Sequence, residues 1–150
     1  DGATLYVGFV VHDAKPTSPF KRDDVDPHVW ARASGVELMI QPGDPGDNRF
    51  YYEIQVDVNE AVWDTRFDDY NRPRRRVGGK MRYGHQGWSA AVKRRVVVDR
   101  QRKRYTVELA VPLRVFADAA RRRPGLRAAA MVGQLEPRPA GAGLRKGVVG

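Results

Sequence analysis

Three polar side chains at alternate positions are the first candidates for chemistry in this 150-residue sequence. Glu37 lies in the apolar run VELMI, and Glu53 and Gln55 lie in the run YYEIQV. In both runs every second residue is apolar, and the three polar residues occupy the positions between. The three side chains should therefore share one face of neighbouring antiparallel strands. Two carboxylates and an amide on one face can converge on a ligand. The alternative interpretation is a solvated polar face on which Arg66 is their ion-pair partner.

The same carboxylates raise the question of catalysis. Glu37 and Glu53 could act as an acid/base pair in sugar hydrolysis, but the chain is short and has no insertions that would form a cleft. It contains no G-x-S-x-G, no H-E-x-x-H, no phosphate-binding glycine loop and no cysteine. We therefore predict a protein that is not an enzyme.

Aromatic residues accompany the polar groups at two places. Trp30 precedes the VELMI run, and it either contacts a ligand or closes one end of the core. His85 and Trp88 lie in the loop YGHQGW, whose glycines would allow it to close over a ligand. A loop histidine is more often solvated, whereas a loop tryptophan must dock on the core or meet a ligand. Trp63 alternates with apolar and acidic neighbours and is predicted to be packing.

Oxygen-rich turns make calcium a candidate ligand. The turn GDPGDN places Asp44, Asp47 and Asn48 within reach of one cation, and calcium prefers such oxygen ligands. Asp, Asn, Pro and Gly are also the residues of any tight strand connection. The acidic run that contains Asp23, Asp24 and Asp26 has the same two interpretations.

The charge of the chain is strongly positive, with 27 Lys and Arg against 18 Asp and Glu. Acidic residues are concentrated up to Asp69, and the basic residues gather in later runs. Such an excess points to nucleic acid or to an acidic surface. However, the aromatic residues are not interleaved with the basic runs as stacking platforms would require. Nucleic acid is therefore an unlikely partner, and no apolar run approaches the roughly 20 residues that span a bilayer.

The elements that must position these residues are strands. The pattern predicts an all-β fold, an antiparallel β-sandwich of jelly-roll type, with one short helix near 113–122. Both faces of the first strand look covered, which predicts a central position in its sheet. A long loop, from Phe67 to Ser89, should follow the meander. The predicted strands are Leu5–Val11, Val36–Gln41, Phe50–Val58, Ala61–Arg66, Ala91–Val98, Tyr105–Val111 and a last one within Arg127–Leu135.

One domain is expected to cover residues 1–136, followed by an atypical or disordered tail at 137–150. The chain begins at Asp1 in a phrase that reads like a turn leading into a strand. We therefore expect the domain to be truncated at its start.

The order of motifs resembles the family 9 carbohydrate-binding modules and their bacterial family 9-like relatives. The motifs are DDVDPHVW, VELMIQP, YYEIQV with VWDTR after it, YGHQGW and YTVELAVPL. The resemblance covers Leu5 to about Phe116. The resemblance implies a β-sandwich that binds a sugar without catalysis, as an accessory module tethered to other domains of an exported bacterial-type protein, extracellular or in the periplasm or cell envelope. It also implies that Trp30 stacks on the sugar and that Glu37 accepts hydrogen bonds from hydroxyls.

Two other functions remain open at this point. Some members of the same broad sandwich superfamily bind haem, and methionine and histidine side chains can ligate its iron. The available ligands are Met39, Met81, Met131, His12, His28 and His85. The third alternative is a structural or protein-interaction domain that has no small ligand and whose basic runs meet an anionic surface.

Overall fold

The computed structural model describes residues 3–42, 49–116 and 126–133, and these ranges are almost entirely β-structure. No helix within them is long and apolar enough to cross a membrane. Within these ranges there is one short α-helix, α1 (Val29–Arg32), and Leu113–Phe116 forms a 3₁₀ turn. The strands are β1 (Thr4–His12), β2 (Gly35–Pro42), β3 (Arg49–Asp57), β4 (Val62–Asp69), β5 (Arg75–Val77), β6 (Lys80–Arg82), β7 (Lys93–Asp99), β8 (Arg104–Pro112) and β9 (Leu126–Gly133).

The strands form two main antiparallel sheets. One has four strands in the order β4-β3-β2-β9, and the other has three in the order β1-β8-β7. Strands β5 and β6 form a separate hairpin. The prediction of an all-β antiparallel sandwich is therefore confirmed.

The main core lies between the two sheets because alternate residues of each sheet are apolar and face inward. Its members include three residues each from β2 and β3 and four from β8, all with 2% exposure or less. Each buried aliphatic side chain of this kind stabilises the fold by about 1.5–3 kcal/mol. These ten residues are Val36, Leu38, Ile40, Tyr52, Ile54, Val56, Tyr105, Val107, Leu109 and Val111.

The predicted central position of the first strand is wrong. Strand β1 pairs with β8 and lies at the edge of the three-stranded sheet. Only its inward residues pack on the core, whereas Tyr6 and Val10 on the other face are 68% and 61% exposed. Apolar residues on both faces of a strand misled the prediction, since an apolar side chain is tolerated on a solvated face.

Two predicted segments differ in extent from what is observed. The long loop Phe67–Ser89 contains the end of β4 and the hairpin of β5 and β6. Of the helix predicted near 113–122, the structure shows the 3₁₀ turn Leu113–Phe116, and residues 117–122 lie outside the described ranges. The last predicted strand is present as β9.

A second, smaller cluster covers part of the outer face of the four-stranded sheet. Its buried members are Val29, Ala33, Tyr51, Trp63 and Phe67, and helix α1 contacts β2 and β3 there. The packing predicted for Trp63 is observed, since only 8% of this residue is exposed.

A buried carboxylate ties the segment before α1 to the sheet. Asp57 is fully buried and accepts hydrogen bonds from the Ser18 hydroxyl and from the backbone N–H groups of Asn59 (2.9 Å) and Ala61 (2.7 Å). The Asn59 amide in turn donates to the carbonyl of Phe20 at 2.8 Å. Burial raises the pKa of Asp57 above its usual range although these hydrogen bonds oppose the shift.

Candidate functional site

The three polar residues singled out from the sequence lie together on the outer face of the four-stranded sheet, away from the main core. Strands β2 and β3 place Glu37 opposite Gln55, and Met39 opposite Glu53. Residues directly opposite in an antiparallel pair share one face. The predicted proximity of Glu37, Glu53 and Gln55 is therefore observed.

Gln55 joins Trp30 to Glu37. Its Oε1 accepts a hydrogen bond from the backbone N–H of Trp30 at 3.1 Å, and its Nε2 donates to Glu37 Oε1 at 2.7 Å. Chemistry fixes this orientation of the amide, because the carboxylate accepts and the backbone N–H donates. Gln55 is 2% exposed, Glu37 is half-buried and Trp30 is 56% exposed. A buried amide thus links the Glu37 carboxylate to the backbone of Trp30, whose ring stacks on His28 with centroids 5.9 Å apart.

Glu53 lies deeper in the same face. It is 5% exposed, and its Oε1 accepts a hydrogen bond from the Tyr51 hydroxyl at 2.9 Å. Burial, and next the charge of Glu53, raise the pKa of Tyr51 far above its usual range. Tyr51 also stacks on Phe67, with ring centroids 4.8 Å apart. Glu53 therefore orients the Tyr51 ring, which stacks with Phe67 beneath this face.

Tyr70 is a residue of this face that the sequence did not indicate. It is 49% exposed and lies 6.3 Å from Tyr51 and 5.6 Å from Phe67, measured between ring centroids. It directly follows β4, so the only signal in the sequence was an aromatic residue beside a strand end. We call the surface formed by Trp30, Glu37, Gln55 and Tyr70 the aromatic face.

The other three predicted ligand residues do not lie on the aromatic face. Arg66 is opposite Tyr52 in the β3–β4 register, so its side chain leaves the sheet on the side of the main core. His85 and Trp88 lie beside it, with the His85 N–H donating to the Arg66 carbonyl at 2.8 Å. The single site expected from the sequence is therefore two separate places, and Arg66 is not the ion-pair partner of Glu37 and Glu53.

The second place is a cleft of about 420 Å³ at the edge of β4. We call it the arginine cleft. The seven residues lining it are Arg66, Arg74, Arg75, His85, Gln86, Gly87 and Trp88.

One carboxylate, Asp68, organises the cationic groups of the arginine cleft. His85 Nε2 lies 2.6 Å from Asp68 Oδ2, and the guanidinium groups of Arg66 and Arg74 lie 3.7 and 3.6 Å from the same carboxylate. Burial alone would raise the pKa of Asp68, but His85 and the two arginines outweigh it and hold that pKa below its usual range. The Arg66 Nη2 lies 3.2 Å from His85 Nδ1 and 3.1 Å from His85 Nε2, so the imidazole is in contact with both the guanidinium and the carboxylate.

Trp88 forms the apolar end of the cleft. Its ring packs on Tyr52 with centroids 4.8 Å apart, and on Phe116 at 6.3 Å. Of the two interpretations offered for Trp88, docking on the core is observed, and the half-buried ring also lines the cleft.

The candidate calcium ligands Asp44, Asp47 and Asn48 lie outside the described residues. Within residues 3–42, 49–116 and 126–133, no group of three or more His, Asp or Glu side chains is arranged to hold a metal ion. In the other acidic run, Asp24 accepts a hydrogen bond from the Lys21 N–H at 2.9 Å, which is an ordinary turn contact.

Comparisons with known proteins bear on the fold. No protein-family model matches the chain, and no curated protein matches it. Among solved structures, the chain is similar to the crystal structure of a "putative carbohydrate-binding protein" from Bacteroides uniformis. The TM-score is 0.52 with 14% sequence identity, over 91% of this chain and 68% of that one. At this identity the likeness supports the β-sandwich architecture alone.

Proposed function

We propose that this protein is a non-catalytic carbohydrate-binding domain whose sugar site is the aromatic face. The observation that carries the proposal is the exposed Trp30, whose backbone N–H is bonded to the same Gln55 amide that donates to the Glu37 carboxylate. The motif resemblance to family 9 modules and the similarity in fold to a protein described as carbohydrate-binding support it. The resemblance also supports an exported protein in which this domain is tethered to others.

The chemistry of the aromatic face suits a neutral sugar ring. A pyranose has an apolar C–H face that packs on an indole, and its hydroxyl groups donate to a carboxylate in hydrogen bonds about twice as strong as neutral ones. Gln55 restrains the Glu37 carboxylate and the backbone of Trp30 before the ligand arrives, and the His28 ring stacks on the indole. A ligand therefore meets groups that are already ordered, which lowers the entropy lost on binding.

Tyr70 extends the face along β3. Trp30 is bonded to Gln55, whereas Tyr70 contacts Tyr51, four residues earlier in the same strand. Four residues of a strand span about 13 Å. A face of that length accommodates an oligosaccharide, with Trp30 and Tyr70 under different rings.

The test is isothermal titration calorimetry of the full chain with a panel of neutral oligosaccharides, comparing wild type with Trp30→Ala. Covering roughly 100 Å² of indole is worth about 2.5 kcal/mol, so the variant should bind about 50-fold more weakly. The matched control is Tyr6→Ala, which removes an aromatic residue that is 68% exposed on the other sheet. If no sugar binds the wild type, or if the two variants bind equally well, the proposal is wrong.

A further inference from the structure

The net positive charge of the chain is accounted for by one segment. Residues 70–98 contain nine Lys and Arg and no Asp or Glu, and the remaining residues contain 18 basic and 18 acidic side chains. The formal net charge of +9 therefore equals the charge of this segment. The segment includes the β5–β6 hairpin and the loop to Trp88, which together with Arg66 line the arginine cleft.

The hairpin presents its arginines on an ordered backbone. Arg75 and Arg82 are paired across β5 and β6, and the Arg74 N–H donates to the Arg82 carbonyl at 2.8 Å. The turn between them is Gly78-Gly79, with φ angles of 55° and 76°, as the favoured two-residue hairpin turns require. Arg74 and Arg75 thus reach the cleft from a hydrogen-bonded hairpin.

The cleft has more positive than negative charge. Three guanidinium groups, from Arg66, Arg74 and Arg75, line the cleft, and the Asp68 carboxylate lies 3.7 and 3.6 Å from those of Arg66 and Arg74. Arg75 forms no ion pair with any residue in the described part of the chain, and the buried Nε of Arg66 has no hydrogen-bond partner there. Arginine offers planar pairs of donors that match the oxygens of a carboxylate or a sulfate. The exposed guanidinium of Arg75 therefore has donors available for an oxyanion.

Asp68 and Trp88 narrow the class of anion. The Asp68 side chain is 44% exposed, so it can accept hydrogen bonds from ligand hydroxyls, and Trp88 offers an apolar surface at the end of the cleft. A ring with several hydroxyls and one acid group can bind the arginines through its acid group, Asp68 through its hydroxyls and Trp88 through its apolar surface. The backbone of DNA has no hydroxyl donors for Asp68.

We propose that the arginine cleft is a second binding site, distinct from the aromatic face, which takes an acidic sugar through its carboxylate or sulfate group. Arg75 and Arg66 would hold the acid group, Asp68 would accept from ring hydroxyls, and Trp88 would contact the ring. Binding in the cleft does not depend on Trp30, so this site and the aromatic face can be tested separately.

The experiment is calorimetric titration of the full chain with trigalacturonate, with a sulfated galactose oligosaccharide and with a neutral galactose oligosaccharide of similar length. We expect one or both acidic sugars to bind, with affinity falling as ionic strength rises, and the neutral sugar not to bind in the cleft. The stronger of the two acidic ligands identifies the acid group.

Arg75→Ala should weaken binding of the acidic sugar about 10- to 100-fold, the strength of a charge-assisted pair. Arg75→Lys should give an intermediate loss, because it keeps the charge but not the paired donors. The matched control is Arg100→Ala, an exposed arginine in the β7–β8 turn, at the end of the sheet opposite Phe116 and the cleft. Trp30→Ala should leave acidic-sugar binding unchanged.

Four results would overturn the proposal. They are no binding of either acidic sugar, an equal loss in Arg100→Ala, full retention of affinity in Arg75→Lys, and tighter binding of a short deoxythymidine oligonucleotide of the same net charge. The last result would assign the cleft to nucleic acid. Thermal unfolding of each variant confirms that it is folded, which the exposed position of Arg75 favours.

Discussion

Replacing Gln55 by glutamate tests the contact that defines the aromatic face. The new carboxylate keeps an oxygen for the Trp30 N–H but puts a second oxygen where the amide now donates to Glu37 at 2.7 Å. Two negative charges at that distance repel by roughly 6 kcal/mol at an effective dielectric constant of about 20. The pair avoids this repulsion by retaining one proton, as close carboxylates do.

The size of the effect follows from the proton that must be retained. Holding a carboxyl protonated at pH 7, against an ordinary pKa of about 4.3 for glutamic acid, costs at most about 3.7 kcal/mol. Gln55→Glu should therefore lower the free energy of unfolding by about 2–4 kcal/mol at pH 7. The pKa of the pair is raised in the folded state, so the loss should shrink to less than about 1 kcal/mol near pH 4.

The assay is urea unfolding of wild type and variant at both pH values, with the difference between the two proteins taken at each pH. The control is Gln101→Glu, an exposed residue in the β7–β8 turn, which should change stability by less than about 0.5 kcal/mol at either pH. A Gln55→Glu protein as stable as wild type at pH 7 would refute the contact. So would a loss of equal size at pH 4 and pH 7, because the repulsion depends on ionisation.

Three further predictions concern the elements that position the two sites. Asp57→Ala should destabilise the fold by about 3 kcal/mol in urea unfolding, since it leaves two backbone N–H groups without their acceptor. Burial raises the pKa of Asp57, so the contribution of this carboxyl to stability falls as the pH rises from below the ordinary aspartate pKa through the raised value. Asp57→Asn should remove this dependence of stability on pH. Gly35→Ala should cost about 1–3 kcal/mol or prevent folding, because its Cβ would lie 2.6 Å from the Val56 carbonyl oxygen, whereas Gly8→Ala, with no atom within 4 Å, should not cause such a clash. Tyr105→Phe should cost about 1 kcal/mol in thermal unfolding, since the fully buried hydroxyl donates to the Gly35 carbonyl at 3.1 Å and the ring itself is retained.

The sequence contained enough information to place Glu37, Glu53 and Gln55 together. Their alternation fixes which face each side chain occupies, and the short connections of a meander make the strands neighbours. Which of them faces solvent did not follow from alternation. Helix α1 contacts β2 and β3 and bonds Gln55 through Trp30, and the Tyr51 hydroxyl bonds Glu53, so two of the three are almost fully buried.

Arg66 shows why its site was not predictable. Its face depends on the register of β4 against β3, which a turn sets with Glu60 at a φ angle of 65°, a conformation rare for that residue type. The β5–β6 hairpin was also missed because each strand has three residues, mostly basic, and carries no apolar alternation. The proximity of Arg74 and Arg75 to Arg66 is thus a result of tertiary structure, which local sequence patterns do not predict.

The two proposed sites lie on opposite faces of strand β4, because successive side chains of a strand point to opposite faces of its sheet. Trp63 and Phe67 face outward into the cluster beneath the aromatic face, whereas Arg66 and Asp68 leave the sheet on the other side and meet the cleft. A sheet strand fixes these directions rigidly, because a slip of one residue would exchange the two sets. Substitutions at outward positions of β4 should therefore change binding of neutral sugars, and substitutions at Arg66 or Asp68 should change binding of acidic ones. Titration of both ligand classes against Phe67→Leu and Arg66→Gln separates these effects, and a variant that weakens both classes equally would contradict the division.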